Sequence, residues 1–197
     1  MERVIIMSIN VEENKNRYIQ LLKDTNRNEI EKLVAWLEST DFFTAPASSR
    51  FHLACEGGLT QHSLNVFDRL SDKMDTPFWA KMNYSAGTVA ICALLHDLCK
   101  INFYTVSERN VKNEGTGKWE KQPFYQIEDQ LPYGHGEKSV YIASGFIKLS
   151  REEAMAIRWH MGFSESKENY NSLNKAYEKF PLCLALSEAD MEVASII

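Results

Sequence analysis

The segment 86–99, Ala-Gly-Thr-Val-Ala-Ile-Cys-Ala-Leu-Leu-His-Asp-Leu-Cys, constrains this chain more than any other. Its apolar side chains fall on every face of a helix, and a helix that is apolar all round belongs in the interior. His96 and Asp97 close that helix. An ionisable pair carried into an apolar interior is costly unless something compensates it. The fold must therefore bring partners to it from elsewhere in the chain. Adjacent helical residues point about 100° apart, so the pair is expected to straddle a centre near the helix end.

Apolar spacing elsewhere is mostly helical. Val11–Lys23 carries Tyr18, Leu21 and Leu22, and Asn28–Leu37 carries Ile30, Leu33, Val34, Trp36 and Leu37. Between Glu38 and Gly58 the pattern breaks, with Pro46, Ser48 and Ser49 marking a loop. Further helices are expected over about Leu59–Lys73, Ala86–Cys99, Glu137–Lys148 and Glu168–Lys179, and from Pro181 onward. Thr76-Pro77 reads as an N-cap followed by Pro at the first helical position. Ser150, with Glu153 three residues on, reads as a capping box opening a helix through Met161. In Phe103–Glu128, Tyr104 and Val106 alternate before a turn at Gly115-Thr116-Gly117, and Trp119, Phe124 and Tyr125 follow. A hairpin or ordered lid is expected there. Its Arg109, Lys112, Lys118 and Lys121 interleave with aromatic rings, an arrangement able to stack bases, but Glu108, Glu114, Glu120 and Glu128 cancel much of the charge. The fold class is all-α, a helical bundle with a small β-hairpin insertion near 103–128.

A chain of 197 residues, 44% hydrophobic and 25% charged, suits one globular domain. No apolar run approaches the roughly 18 residues that span a bilayer. The patch Val4–Met7 is too brief for a signal-peptide core, so a cytoplasmic location is expected. Cys55, Cys92, Cys99 and Cys183 show no CxxC spacing and read as structural thiols. A net charge of −5 gives no general field to attract a nucleic-acid backbone. A long polynucleotide is therefore not an expected partner; a small phosphorylated substrate held through metal is. The oligomeric state is left open.

The chain has five histidines. His62 follows Gly57-Gly58-Leu59 on a helix, His96 ends the apolar helix, His135 lies between two glycines at a helix start, and His160 lies near the end of a capped helix. His52 sits in the preceding loop, placed either to contact substrate or to pack locally. A divalent cation compensates buried imidazoles and carboxylates, which are its natural ligands. A helical bundle builds such a site from several helices.

The series Gly57-Gly58-Leu59-Thr60-Gln61-His62, Leu95-His96-Asp97-Leu98-Cys99-Lys100, Gly134-His135, Trp159-His160-Met161-Gly162 and Ala189-Asp190 resembles the HD-domain phosphohydrolase superfamily. The approach to His62 looks most like the HD module of bacterial 3′–5′ exoribonucleases. The resemblance implies an HD-type phosphohydrolase domain at 50–197 with a helical extension, 1–49, packed on it. By the same resemblance His62, His96, Asp97 and Asp190 match the primary metal ligands. His135 and His160 match a second metal position bridged by Asp97. Trp159 stands where many binuclear members have another histidine, which leaves both one and two ions open. The implied cofactor is divalent metal: Mn, Fe, Co, Ni, Zn or Mg. Asp97 and Lys100 are the catalytic candidates, and Lys100, His52 and Arg158 are candidates for binding the phosphate or substrate. The implied reaction is hydrolysis of a nucleotide phosphomonoester or short phosphodiester by metal-activated water. The alternatives are a degenerate module that senses a nucleotide or regulates a partner, and a di-iron oxygenase.

Overall fold

Asn10 opens the first helix by accepting a hydrogen bond from the Glu13 amide at 3.1 Å, satisfying one of the donors that a helix start leaves unpaired. The structure is a computed structural model and describes residues 9–196. The patch Val4–Met7 lies outside that range. The helices are α1 (Val11–Asp24), α2 (Ile30–Glu38), α3 (Gly58–Met74), α4 (Ala86–Leu95), α5 (His135–Ser144), α6 (Arg151–Arg158), α7 (Tyr170–Lys179) and α8 (Pro181–Ile196). Strands β1 (Tyr104–Lys112) and β2 (Trp119–Ile127) form one antiparallel hairpin, with Tyr104 opposite Ile127 and Lys112 opposite Trp119. The all-α class with a hairpin insertion is thus the observed one. None of the described helices is long and apolar enough to cross a membrane.

Helix α4 is the axis of the molecule. Val89 through Leu95 are all buried, as an apolar surface on every face requires. Ile91, Leu94 and Leu95 face a cluster with Tyr18, Leu22, Leu33, Leu37, Phe42 and Leu59. Cys92 and Ala93 face a second cluster with Val66, Leu70, Leu173, Leu186 and Val193. The N-terminal helices therefore share a core with α3 and α4. Tyr18 ties them together by donating from its hydroxyl to the Leu94 carbonyl at 2.6 Å.

The capping box at Ser150 and Glu153 forms as expected, and such a cap contributes about 1 kcal/mol. Glu153 is fully buried and also accepts from Thr88 Oγ1 at 3.0 Å and from the Arg27 guanidinium. One carboxylate thus fastens α6 to α4 and to the α1–α2 connection. Arg27 keeps 26% of its side chain exposed, so removing it costs less than the roughly 3–5 kcal/mol typical of a fully buried pair.

Several boundaries differ from the expected ones. Thr76-Pro77 does not start an α-helix. The Thr76 hydroxyl instead donates to the Lys73 carbonyl at the end of α3, and a single 3₁₀ turn follows at Trp79–Met82. A Thr side chain serves a preceding helix end as readily as a following one, and here the preceding one is closer. Helix α5 spans His135–Ser144 rather than Glu137–Lys148, and a 3₁₀ turn at Lys167–Asn169 precedes α7. The expected helices at Ala86–Cys99 and through Met161 end early, at Leu95 and Arg158. Those two breaks build the site.

Candidate metal centre

Two helices end just short of a histidine, and in the same way. Helix α4 stops at Leu95, and Asp97 leaves helical geometry at φ −106° and ψ 21°; α6 stops at Arg158, and Trp159 does so at φ −106° and ψ 14°. Carbonyls at a helix C-terminus lack intrahelical partners. His96 Nδ1 takes up the Ala93 carbonyl at 2.8 Å, and His160 Nδ1 takes up the Ile157 carbonyl at 2.7 Å. Each ring donates through Nδ1–H, which leaves Nε2 with its lone pair facing inward. This arrangement orients a histidine ligand and fixes its tautomer.

The other donors arrive from three directions. Gly57 adopts φ +74° at the start of α3, and a Cβ on Gly58 would lie 2.1 Å from the Leu53 carbonyl oxygen. The Gly-Gly pair lets the first turn of α3 seat against the 45–53 loop, with Leu59 N donating to the Ala45 carbonyl at 2.9 Å. That seating sets the His62 ring 4.9 Å from His52 and 5.2 Å from His96. A Cβ on Gly136 would lie 2.1 Å from the Arg158 carbonyl oxygen, so only glycine lets α5 approach the end of α6 and bring His135 within 5.2 Å of His160. Asp190, on α8, closes the group with Oδ1 at 3.0 Å from His62 Nε2 and 3.8 Å from His96 Nε2.

Asp97 lies between two sets of histidines. Its Oδ2 stands 3.4 Å from His96 Nε2 and 3.6 Å from His62 Nε2; its Oδ1 stands 3.0 Å from His135 Nε2 and 3.6 Å from His160 Nε2. Lys100, one 3₁₀ turn later, donates to Oδ2 at 2.7 Å. Three overlapping donor groups result, His62/His96/Asp97, His96/His160/Asp190 and Asp97/His135/His160, the donors within each lying within 4.8 Å of one another.

The protonation pattern follows from this crowding. Burial opposes ionisation of Asp97, but the Lys100 and His96 charges outweigh it and hold its pKa well below the usual carboxylate range. Burial likewise opposes the charge on Asp190, and the His62 hydrogen bond with the histidine charges pulls its pKa down. For Lys100, burial yields to the Asp97 charge, which raises it. Burial depresses His62 and His160, in each case only partly opposed by carboxylates. His96 is raised, because the Asp97 charge overcomes burial. For His135 burial is outweighed by hydrogen bonds to Asp97 and Cys99, which push its pKa up to about 10.

The donors fit a divalent cation. His62 Nε2 and His96 Nε2 face each other at 3.2 Å, and buried His160 Nε2 has no hydrogen-bond partner. A buried imidazole nitrogen without a partner is costly, and a cation between these three nitrogens and the two aspartates satisfies them together. His62, Asp97, His135, His160 and Asp190 line a cavity of about 770 Å³, with His96 buried behind them and Ser48, His52, Lys100, Tyr104 and Ile127 also on its wall, within the range of about 300–1,000 Å³ usual for ligand sites. A separate cavity of about 610 Å³, walled by Trp36, Leu131, Tyr141 and Phe146, contains none of these donors.

A family model described as HD domain matches residues 59–193. The chain belongs to the HD domain family. HD domains are generally metal-dependent phosphohydrolases, and the buried His/Asp groups are of the kind that coordinates a divalent metal. No curated protein and no solved structure matches the chain.

All six expected ligand positions, His62, His96, Asp97, Asp190, His135 and His160, lie together. Lys100 and His52 stand with five of them, all but His96, on the cavity wall. The buried Nε2 of His52 is unpartnered, and burial with the neighbouring His62 lowers its pKa to about 4. Arg158 is directed elsewhere: it pairs with Glu137 at 2.5 Å and Glu165 at 2.7 Å and lies over the Trp159 ring at 4.0 Å. Trp159 itself is buried in the second core cluster. Three neighbours of the site were not among the expected site residues: Cys99, expected only as a structural thiol, whose Sγ is 3.4 Å from His135 Nδ1, and Ser187 and Glu188 on the cavity wall. The four cysteines are free, in keeping with structural thiols. Ser187 lies three residues before Asp190, so helical spacing carried a signal for it.

Proposed function

We propose that the chain hydrolyses phosphate esters with one or two divalent cations, acting on a nucleotide phosphomonoester or a short phosphodiester. The observation that carries this reading is the Asp97 carboxylate, which turns one oxygen to His62 and His96 and the other to His135 and His160. In this reading His62, His96, Asp97 and Asp190 hold the primary ion, and His135 and His160 with Asp97 hold a second. A bound divalent cation supplies Lewis acidity, activating water near neutral pH and neutralising phosphoryl charge.

The protein's own groups do the rest. The Ala93 and Ile157 carbonyls keep His96 and His160 as inward-facing donors. Lys100, cationic and on the cavity wall, offsets charge growing on the phosphoryl oxygens as the ester bond breaks. His52, neutral above pH about 4, offers a hydrogen bond to substrate or leaving group. The root of the hairpin, through Tyr104 and Ile127, covers the cavity and limits bulk water around the substrate. In this reading residues 1–49 are a supporting extension of the phosphohydrolase domain at 50–197. The Gly57-Gly58-Leu59 approach supports a kinship with exoribonuclease HD modules.

A turnover panel of nucleotides and small diesters, supplemented in turn with Mn, Fe, Co, Ni, Zn and Mg, tests the reading. His96→Ala and Asp97→Ala are expected to lose both bound metal and activity. Full turnover with metal retained in either variant contradicts it.

A further inference from the structure

The metal cavity continues past the root of the hairpin. A second cavity of about 460 Å³ opens where the 49–51 loop meets the hairpin, and Ser49, Phe51 and Ile127 line both. The second cavity is completed by Arg50, Arg109, Phe124 and Tyr125. Ser48 Oγ accepts from Phe51 N at 2.8 Å and donates to the His52 carbonyl at 2.9 Å. That turn puts His52 beside His62 and leaves the Phe51 ring 71% exposed.

Two guanidiniums cover these rings. Arg50 lies 5.2 Å from the Phe51 ring centroid and Arg109 lies 5.5 Å from that of Phe124. Arg109 sits opposite Gln122 and Phe124 opposite Ser107, so the two are diagonal neighbours on one hairpin face. Arg17, Arg27, Arg69 and Arg158 are each paired with a carboxylate. Among the described residues Arg50, Arg109 and Arg151 form no ion pair, and of these Arg50 and Arg109 line the second cavity, although the chain is acidic overall. A guanidinium stacked on an aromatic ring offers its edge to a phosphate and leaves a flat surface for a base.

A lone phosphate has its charge met at the His/Asp centre and by Lys100. Two further cations, on a cavity that shares Ser49, Phe51 and Ile127 with the one at that centre, match a substrate with further phosphates. We propose that the second cavity is a subsite for the neighbouring nucleotide of a short single-stranded oligonucleotide. Its base stacks on Phe51 and Phe124 and its phosphate meets Arg50 and Arg109, while the scissile phosphate lies at the metal centre. This rests on the phosphohydrolase reading and narrows its substrate to a diester of at least two nucleotides.

The test is fluorescence anisotropy with labelled DNA and RNA trinucleotides whose linkages are cleavage-resistant phosphorothioates and the full chain in saturating Mn²⁺, so that the centre is loaded and the probe stays intact. Tight binding of either trinucleotide by the parent is expected. Arg50→Gln/Arg109→Gln should weaken it about tenfold or more, and the slope of log affinity against log salt should become shallower by about 1.4, about 0.7 for each lost phosphate contact on a single strand. Both side chains are exposed, so an unchanged melting temperature is expected of that variant. Lys112→Gln/Lys118→Gln removes the same charge at the far end of the hairpin and should bind like the parent. No binding by the parent, equal binding by the arginine variant, or equal loss in both variants overturns the proposal. Arginine-dependent binding by a chain that hydrolyses no phosphate ester with any metal would instead overturn the phosphohydrolase reading and leave the subsite standing.

Discussion

Tyr18→Phe removes one oxygen from a fully buried side chain and leaves its ring in place against Phe42 and Phe43, at centroid distances of 4.9 and 5.7 Å. The lost hydroxyl donates to the Leu94 carbonyl at 2.6 Å, in the last turn of α4, where carbonyls depend on partners from outside the helix. The neighbouring Ala93 carbonyl is taken by His96. The cost is therefore that of a buried carbonyl left without its donor, about 1–3 kcal/mol. For a chain of this length each kcal/mol lowers Tm by about 2–4 °C, so a fall of about 2–12 °C is expected. Thermal unfolding by circular dichroism, in chelator, reads it directly. Because Leu94 lies two residues before His96, metal affinity by chelator competition is expected to fall as well. An unchanged Tm would refute the reasoning, since the carbonyl would then have another partner and α1 would not brace the ligand-bearing helix end.

His135 provides a pH prediction. Its folded pKa of about 10 lies above its unfolded value of about 6.5, so its contribution to the metal-free protein is complete below that lower value and is lost as pH rises through the upper one. The Tm advantage of the parent over His135→Asn in chelator should therefore shrink from pH 6 to pH 10, and a constant difference would contradict the His135–Asp97 pair. Over the same window metal affinity should rise with pH, because a ligating imidazole must give up its proton. Lys100→Met is expected to lower kcat about 10²-fold, the scale of one lost transition-state donor, with metal content retained by elemental analysis. Unchanged kcat would leave Lys100 a structural partner of Asp97.

The gathering of His62, His96, Asp97, His135, His160 and Asp190 was legible chiefly through the ordered motifs that resemble a known family, and the cost of burying His96 and Asp97 in an apolar segment pointed the same way. The axis of the fold was legible in the same segment: apolar residues on every face of 89–95 leave that part of the helix no solvent side. The breaks at Asp97 and Trp159 were not legible. Apolar periodicity continues through both, and it does not register the local capping by which His96 and His160 take up the Ala93 and Ile157 carbonyls. Thr76-Pro77 misled because capping chemistry does not say which of two helix ends a hydroxyl serves. Arg158 is near the ligands in sequence, but Glu137 and Glu165 hold it away from the cavity. Arg50 and Arg109 lie 59 positions apart, a separation that only the hairpin's lean over the 49–51 loop brings together.

Crystals of the full chain grown with manganese, measured for anomalous scattering at the Mn edge, would locate the ion itself. The expected peak lies within bonding distance of His62 Nε2, His96 Nε2, Asp97 and Asp190, with any second peak across Asp97 beside His135 and His160. Manganese bound only at other positions, or no peak at saturating metal, would contradict a cation centre at this cluster.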